Sequence, residues 1–402
     1  MDKILDLLIF DLSDRLRIAL ILLLISVNYL AEFLVKRSVE KVYRRTASAE
    51  EAINKLRIYN QYCLVILQII TIVPMQFMVV KFFIGLRKLL LISFLFLASF
   101  ALLMIVNVGQ LLIINKTYQR IRGTTESLFG QIRDVAITLL LTFVPVGLLS
   151  ILTSIAAGKI KSQVLEGIAV AALPLTLMFL FNLTLPFLYP LLLKAVPLGD
   201  EGLKERLDQL FDQAGIKRAQ LYQWPTKAKK VANALVVGLV KPKVFISDYY
   251  LENAEPGEIE AVVAHEVGHL KHNHLLKRLL YIAAGLCELF LVGYLMEWYE
   301  NHTGKEINFL IGLAILLVPF FLYISLGLLQ YYRKQEKQAD EFALKIGVQP
   351  EVMITALLKL TKLNHMVPKL RKLDERFQTH PSLARRIRQI EKISGYRYDL
   401  QL

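Results

Sequence analysis

The chain has 402 residues, of which 55% are hydrophobic and 20% are charged, and its formal net charge is +14. Its two cysteines, Cys63 and Cys287, lie in apolar segments, which argues against a disulfide framework or a thiolate metal site. Positive charge can indicate nucleic-acid binding, but in so apolar a chain the accumulation of Lys and Arg in cytoplasmic loops explains it better. We therefore expect no nucleic-acid partner.

The apolar residues fall into seven blocks, each close to the roughly 20 helical residues that cross a bilayer core about 30 Å thick. These blocks are Ile18–Val35, Tyr62–Val80, Leu89–Ile114, Val135–Ala157, Ile168–Leu193, Leu279–Trp298 and Ile307–Gln330. A single block could be a buried core helix. Seven in one chain predict a mainly α, polytopic membrane protein embedded in a lipid bilayer.

The basic residues predict an orientation in the membrane. The loops after the first and third blocks are rich in Lys and Arg, whereas the alternate loops are poor in them. Because basic loops mark the cytoplasmic side, we expect the N-terminus outside, with residues 194–278 and the C-terminal tail in the cytosol. The membrane would be the bacterial inner membrane or, in a eukaryote, that of the endoplasmic reticulum. The acidic N-terminus does not resemble a cleaved secretion signal.

Four regions follow one another along the chain. We predict a five-span membrane domain over 1–194, a cytosolic catalytic segment over 195–278, the last two spans over 279–330 and a helical cytosolic tail over 331–402. In the catalytic segment, "GDEGLKERLDQLFDQAGI" predicts a helix ended by Gly215, and "AQLYQW", "VANALVVGLV" and "KVFISDYY" predict short strands. Helical periodicity returns over 256–277, so this segment is expected to form a small α+β domain.

The stretch "AVVAHEVGHLKHNH" (261–274) contains four of the chain's seven histidines. On a helix His265 and His269 lie one turn apart on one face, where two neutral imidazoles can bind one zinc ion at about 2.0–2.1 Å. Glu266 is offset around the helix and could act as general base on a zinc-bound water, as in the H-E-x-x-H arrangement of metallopeptidases. A pair of interfacial histidines without a metal is the competing interpretation.

A catalytic zinc ion usually takes three protein ligands. Glu336, just after the last apolar block, is the candidate third ligand, and Asp340, one turn further, could accept the second ring N–H of a histidine ligand. As isolated residues, Glu336 and Asp340 would more often form a solvated helix face. His380, in "THPSLARRI", could donate a hydrogen bond to a developing oxyanion.

Four segments in this order resemble a known family: "ANALVVGLVKPKVFISDYYLE", "AVVAHEVGHLKHNH", "EKQADEFALKIG" and "THPSLARRI". They resemble the integral-membrane zinc peptidases that include the type I CAAX prenyl endopeptidases and the HtpX-type stress proteases. Seven apolar blocks resemble the CAAX branch more than the four-span HtpX branch. The resemblance covers about residues 200–395, and in the first 194 residues only the number of blocks corresponds.

The resemblance implies a ligand set and a base. It implies that His265, His269 and Glu336 bind one zinc ion per chain and that Glu266 is the general base. Asp340 would orient a histidine ligand. The family also implies that the membrane spans enclose a large chamber.

The resemblance further implies that Asn233 and His380 hold the substrate and its oxyanion. Arg386 matches the arginine that follows the "HP" motif, and His274 is expected to lie outside the ligand set, as a supporting or structural residue. From the strand pattern before the zinc helix, we expect an exposed edge to which an extended peptide can add. The residues of this expected substrate strand are Ala234, Leu235, Val236, Val237 and Gly238.

The sequence therefore predicts a membrane-embedded zinc endopeptidase with a peptide or protein substrate. A prenylated CAAX protein is expected if the source is eukaryotic, and damaged membrane proteins if it is bacterial. One alternative is an antibiotic-sensing type of membrane receptor, for which the outer loops look too short. Another is an inactive transporter or scaffold, because Glu32 and Glu288 lie within spans, where carboxylates can act as relays or line a polar cavity. The oligomeric state is left open.

Overall fold

The structure is a computed structural model that describes residues 13–64, 67, 68, 71, 75, 88–157, 163–369, 375, 378 and 380–398. Over these residues the chain is mainly helical with one small sheet, and it forms two compact units, residues 1–178 and 179–402. The predicted fold class is confirmed.

The N-terminal half of the described chain consists of long helices. They are α1 Asp14–Thr46, α2 Ala49–Ile58, α3 Lys88–Arg122, α4 Leu128–Ala157 and α5 Gln163–Leu193, with a π-helical segment Tyr59–Leu64 after α2. The hydroxyl of Ser13 accepts the N–H of Leu16 at 3.4 Å and starts α1, and Ala47, with φ 53, ends it. In the first unit, α3 packs against both α1 and α4.

Several helices can cross a membrane. Among the described residues, four helices are long and apolar enough to do so: Asp14–Thr46, Leu97–Arg122, His274–Thr303 and Ala314–Lys345. A shorter apolar helix spans Phe179–Leu193. The chain is therefore a polytopic membrane protein. The predicted span Tyr62–Val80 lies mostly outside the described residues, so the number seven stays a prediction.

The second unit combines the sheet with further helices. Its elements are β1 Val196–Pro197, α6 Glu201–Gln213, β2 Gln220–Trp224, β3 Ala234–Val237, β4 Lys243–Ser247, α7 Asp248–Asn253, α8 Pro256–Lys271, α9 His274–Thr303, α10 Phe309–Leu322, α11 Leu329–Lys345, α12 Pro350–Leu363 and α13 Leu383–Ser394. A 3₁₀ turn, Lys227–Lys229, and a π-helical segment, Tyr323–Leu328, complete it.

The sheet has the strand order β1-β2-β4-β3. Strand β4 is parallel to β2 and antiparallel to β3, which places β3 at one edge of the described sheet. In β4, Val244, Phe245 and Ile246 are fully buried. Val244 and Ile246 join a core that includes residues of α6, α8, α12 and α13. The sheet and α8 therefore share one hydrophobic core.

Three sequence predictions need correction. "KVFISDYY" is not one strand, because the hydroxyl of Ser247 accepts the N–H of Tyr250 at 3.3 Å and starts α7. The predicted strand "VANALVVGLV" shrinks to Ala234–Val237. The helix predicted over 256–277 is broken, because Asn273 adopts a left-handed conformation with φ 52 between α8 and α9. The helix before Gly215 is confirmed as α6, and Gly215 has the positive φ of 59 that ends it.

Candidate metal centre

Helix α8 carries the H-E-x-x-H residues and is buried along most of its length. It starts at Pro256, and the side chain of Glu258 accepts the N–H of Glu255 at 2.9 Å. Small and β-branched residues then pack on the core: Ala261, Val262, Val263, Ala264 and Val267. A helix held on so many sides fixes the directions of His265 and His269.

Gly268 lets α8 approach α11 closely. A Cβ atom at Gly268 would lie 3.0 Å from Cα and 3.1 Å from the carbonyl oxygen of Ala339 on α11. Because such contacts are tighter than a methyl group usually makes, any larger residue would push the two backbones apart by a few tenths of an ångström. The sequence motif leaves this position variable, yet here it sets the distance between the two helices that carry the site.

Two histidines and one carboxylate converge between these helices. Nε2 of His265 and Nε2 of His269 are 3.2 Å apart. Glu336 on α11 places Oε2 3.4 Å from Nε2 of His265 and Oε1 3.4 Å from Nε2 of His269. Glu336 is 1% exposed, and α11 holds it where the sequence predicted the third ligand.

His265 is oriented by a buried ion pair. Its Nδ1 lies 2.8 Å from Oδ1 of Asp340, and Arg386 on α13 donates to the same carboxylate from Nη2 at 2.5 Å and from Nε at 3.0 Å. Burial lowers the pKa of His265, but the hydrogen bond and negative charge of Asp340 outweigh it and raise the pKa to about 9. Despite burial, the carboxylate also raises the pKa of Arg386. The structure therefore shows that Arg386 forms an ion pair with Asp340.

Two uncharged side chains, His274 and Gln338, orient His269 through successive hydrogen bonds. Its Nδ1 lies 2.7 Å from Nδ1 of His274, and Nε2 of His274 lies 3.2 Å from Oε1 of Gln338. If Nε2 of His269 is to bind a metal, Nδ1 must carry the hydrogen, so His274 accepts at Nδ1 and donates from Nε2 to Gln338. Burial lowers the pKa of His269, which favours this neutral form.

The break at Asn273 creates this contact. A continuous helix would carry His274 around the axis, whereas the turn starts α9 at His274 and leaves its side chain 1% exposed beside His269. Gln338 was not predicted from the sequence, because its contact with His274 depends on the helix break at Asn273.

Arg278 is a second residue that the sequence reasoning missed. Its Nη2 lies 3.5 Å from Oε1 of Glu336, its Nε donates to Oε1 of Gln335 at 2.5 Å, and its guanidinium lies over the ring of Tyr332 at 4.5 Å. The positive charge partly offsets that of the Glu336 carboxylate. The sequence did offer one indication of Arg278: it lies four residues, or about one helical turn, after His274.

Glu266 shares the site but differs from Glu336 in its setting. The possible ligand atoms of His265, Glu266 and His269 all lie within 4.8 Å of one another. Glu266 is half-buried and lies on the same helix as both histidines, whereas Glu336 is buried and faces both Nε2 atoms. This difference favours Glu336 as the ligand and leaves Glu266 for another task.

His380 and Asn233 are the outer predicted residues. Nδ1 of His380 lies 2.8 Å from Oε2 of Glu336, and its side chain is 64% exposed. Asn233 is exposed at the start of β3, where its N–H donates to Oγ of Ser247 and its carbonyl accepts the N–H of Ser247, each at 2.9 Å. His380 therefore touches the candidate ligand, and Asn233 is fixed through its backbone.

Four of the five residues of the predicted substrate strand form β3, Ala234–Val237. Gly238 follows the strand with φ 107, and a Cβ there would lie 2.3 Å from Cγ of Pro186. Gly238 is therefore a turn residue, because its conformation and its contact with Pro186 both require glycine.

The donor atoms fit a zinc ion. In a tetrahedral site with bonds of about 2.05 Å, ligand atoms lie about 3.3 Å apart. Here the two Nε2 atoms are 3.2 Å apart and each lies 3.4 Å from a Glu336 oxygen. Oε2 of Glu336 is buried yet accepts no well-directed hydrogen bond, which leaves it available to a cation. Two imidazoles and a carboxylate are also a common catalytic zinc set.

The chain is similar in sequence to known peptidases. The model for Peptidase family M48 matches residues 197–394. The chain is 29% identical over 232 residues to a CAAX prenyl protease 1 homolog of Arabidopsis thaliana, covering 53% of this chain and 54% of that protein. It is 26% identical over 225 residues to protease HtpX of Acinetobacter baumannii, covering 48% and 72%. The chain spans about half the length of the curated CAAX prenyl protease relatives it matches.

The fold has a solved relative. The crystal structure of Ste24p from S. mikatae superimposes with a TM-score of 0.63 and 19% identity, covering 94% of this chain and 99% of that chain. At this identity the match establishes a shared fold. With 94% of the chain covered, the match extends beyond residues 197–394 into the N-terminal helices.

Proposed function

We propose that this chain, in which residues 197–394 match the model for Peptidase family M48, is a membrane zinc endopeptidase of that family. The observation that carries the proposal is the convergence of His265, His269 and Glu336: the two Nε2 atoms lie 3.2 Å apart, and each lies 3.4 Å from a different oxygen of Glu336. This spacing and this set of atoms suit a single tetrahedral ion.

The three ligands and their supporting residues would hold the ion as follows. Asp340 and His274 bind the Nδ1 atoms of the two histidines, so both Nε2 lone pairs turn toward Glu336. A zinc ion bound there would lower the pKa of a water molecule and polarise the scissile carbonyl group.

Glu266 would be the general base. It lies beside the ligand set without being needed as a ligand, so its carboxylate can take a proton from the attacking water and pass it to the leaving amine. Replacing Glu266 by glutamine keeps the size of the side chain and removes the base. The variant should bind zinc as the wild type does and lose peptide hydrolysis.

His380 and Asn233 would act on the substrate from the exposed side of the site. Nδ1 of His380 lies 2.8 Å from Oε2 of Glu336, and Nε2 on the other side of the ring would face a bound peptide. One oxyanion donor is typically worth about 10²–10³ in kcat. We expect His380→Ala to lower kcat by that factor while zinc remains bound, because His380 is not a ligand.

Strand β3 would bind the substrate backbone. Since the N–H of Ser247 donates to the carbonyl of Asn233 at 2.9 Å, residue 233 and its alternate neighbours face β4. By the same alternation, the N–H and C=O groups of Ala234 and Val236 point away from β4, toward the free edge. An extended peptide can pair with these groups with little dependence on its sequence.

Two substitutions at Val236 test the backbone pairing and control for the change of side chain. Val236→Pro removes an N–H that faces the free edge, whereas Val236→Thr keeps the N–H and the β-branched shape. We expect the proline variant to raise KM for peptides at unchanged zinc content and the threonine variant to behave as wild type. Equal KM values for both variants would exclude substrate pairing at this edge.

For the substrate class, we propose a prenylated CAAX peptide, with damaged membrane proteins as the competing class. The support is the 29% identity to a CAAX prenyl protease 1 homolog over 232 residues. A second CAAX prenyl protease is 25% identical to this chain, and protease HtpX is 26% identical. The test compares one CAAX peptide with and without its prenyl group. Faster cleavage of the prenylated form supports this class, and faster cleavage of an unfolded membrane protein supports the other.

The proposal of a zinc endopeptidase is tested with the purified full chain in detergent. We expect peptide cleavage that stops when a zinc chelator is added, returns with zinc and is absent in Glu266→Gln. Cleavage by Glu266→Gln at the wild-type rate would exclude the proposed base, and cleavage that resists complete metal removal would exclude a zinc mechanism.

A further inference from the structure

One face of α1 is exposed and apolar over most of the helix. Its side chains lie three, four or seven residues apart, as on one side of a helix, and are 37% to 58% exposed; they are Leu16, Leu23, Val27, Leu30 and Leu34. The opposite face is buried and includes Asn28, Glu32, Val35 and Val39. Since α1 is a candidate membrane span, the exposed apolar face is the one that meets lipid chains.

The same face becomes basic directly beyond Leu34. The spacing continues through Arg37, Lys41 and Arg45, three, four and four residues further on. All three side chains are exposed, and with Arg44 and Glu40 they line a groove of ≈ 530 Å³. The face that meets lipid therefore leads without interruption into a cationic groove.

Glu40 does not neutralise this groove. Its carboxylate accepts a hydrogen bond from Oγ1 of Thr117 on α3 at 2.6 Å and lies 3.5 Å from Nη2 of Arg120. Among the described residues lining the groove, Glu40 is the only acidic one, and its charge is already shared with α3. The groove thus presents four positive side chains and one committed carboxylate.

The depth of the groove matches that of lipid headgroups. From Leu16 to Leu34 the exposed apolar face extends about 27 Å at 1.5 Å per residue, close to the roughly 30 Å of a bilayer core. Arg37 begins one turn beyond this length, where phosphate groups lie. Four Lys or Arg residues just outside a membrane helix are typical of sites for anionic lipids.

We propose that the groove of Arg37, Lys41, Arg44 and Arg45 binds the headgroup phosphate of an anionic phospholipid, whose acyl chains lie along Leu23 to Leu34. A phospholipid is favoured over a soluble anion because the cations and the apolar face form one continuous surface. The site lies outside residues 197–394, so this proposal stands or falls independently of the zinc peptidase.

The test measures lipid binding to the full chain in neutral detergent micelles by native mass spectrometry. The probes are phosphatidylglycerol, phosphatidylcholine and inorganic phosphate. We expect phosphatidylglycerol to bind more tightly than either of the others. With each cation contributing about fivefold, the triple substitution Arg37→Gln, Lys41→Gln and Arg45→Gln should weaken phosphatidylglycerol binding about 100-fold.

Two controls keep the result decisive. A charge-matched variant, Lys217→Gln, Lys241→Gln and Lys392→Gln, removes three exposed cations from the second unit and should bind phosphatidylglycerol as the wild type does. The variant Arg37→Lys with Arg45→Lys keeps the charge and should also bind. The proposal is overturned if the wild type binds phosphatidylcholine equally well, or if both triple variants lose binding equally. Binding of inorganic phosphate as tight as that of the lipid would overturn the assignment to a phospholipid.

Discussion

Replacing Asp340 by asparagine tests the support of the metal site most sharply. Oδ1 of Asp340 lies 2.8 Å from Nδ1 of His265 and 2.5 Å from Nη2 of Arg386, and Oδ2 lies 3.0 Å from Nε of Arg386. An asparagine that keeps its oxygen toward His265 turns its NH₂ group toward the N–H of Arg386. Two donors then face each other at a site where the Arg386 side chain is only 15% exposed.

Two losses of different size should follow. Leaving a buried cation without its counter-charge costs about 3–5 kcal/mol of unfolding free energy. Removing the carboxylate that orients a metal-binding histidine weakens metal affinity about 10- to 100-fold. Zinc affinity is measured by competition with a fluorescent chelator, and stability by thermal unfolding of the metal-free chain in detergent.

A double variant separates the two losses. Adding Arg386→Leu to Asp340→Asn removes the unpaired cation, so stability should recover in part while zinc affinity stays low, because His265 still lacks its carboxylate. Zinc affinity within twofold of wild type in the single variant would refute the role given to Asp340. Full recovery of affinity in the double variant would show that the Asp340–Arg386 pair is only structural.

Three further outcomes are expected. Gly268→Ala should destabilise the chain by about 1–3 kcal/mol in thermal unfolding and weaken zinc binding, because the new methyl group meets the α11 backbone at 3.0 Å. Gly257→Ala, on the same helix with only a 3.5 Å contact, should be neutral or stabilising, and equal effects would contradict the close approach. His274→Leu should weaken zinc binding about tenfold in chelator competition, and His274→Asn, which keeps an acceptor, should weaken it less; the reverse order would exclude the orienting role. His265 is protonated below its pKa of about 9, and zinc must displace that proton. Zinc affinity measured by isothermal titration should therefore fall about tenfold per pH unit as the pH decreases below 9. An affinity that does not change with pH would contradict this proton competition.

The convergence of the candidate ligand residues was predictable from local chemistry. His265 and His269 are four residues apart, so any helix brings them to one face, and Glu336 and Asp340 repeat the same spacing on a second helix. The sequence also indicated the amphipathic helix α6 and the approximate positions of β2, β3 and β4 along the chain. These features depend on periodicity and on turn residues, which act over a few positions.

Other features depend on contacts that no local pattern contains. The end of α8 at Lys271 requires the left-handed conformation of Asn273, which places His274 against His269. Gly268 looks unremarkable in sequence, and only the packing of α11 gives it a role. Ser247 continues a β-branched, aromatic stretch, yet its hydroxyl ends the strand by capping α7. In each case tertiary packing decides between local alternatives of similar energy.

Anomalous X-ray scattering at the zinc absorption edge, from crystals of the full chain, tests the metal centre most directly. One zinc peak per chain is predicted, at about 2.0–2.2 Å from Nε2 of His265, Nε2 of His269 and a carboxylate oxygen of Glu336. A chain that shows no zinc after loading, or a peak whose ligands exclude these three residues, would contradict the proposed peptidase site.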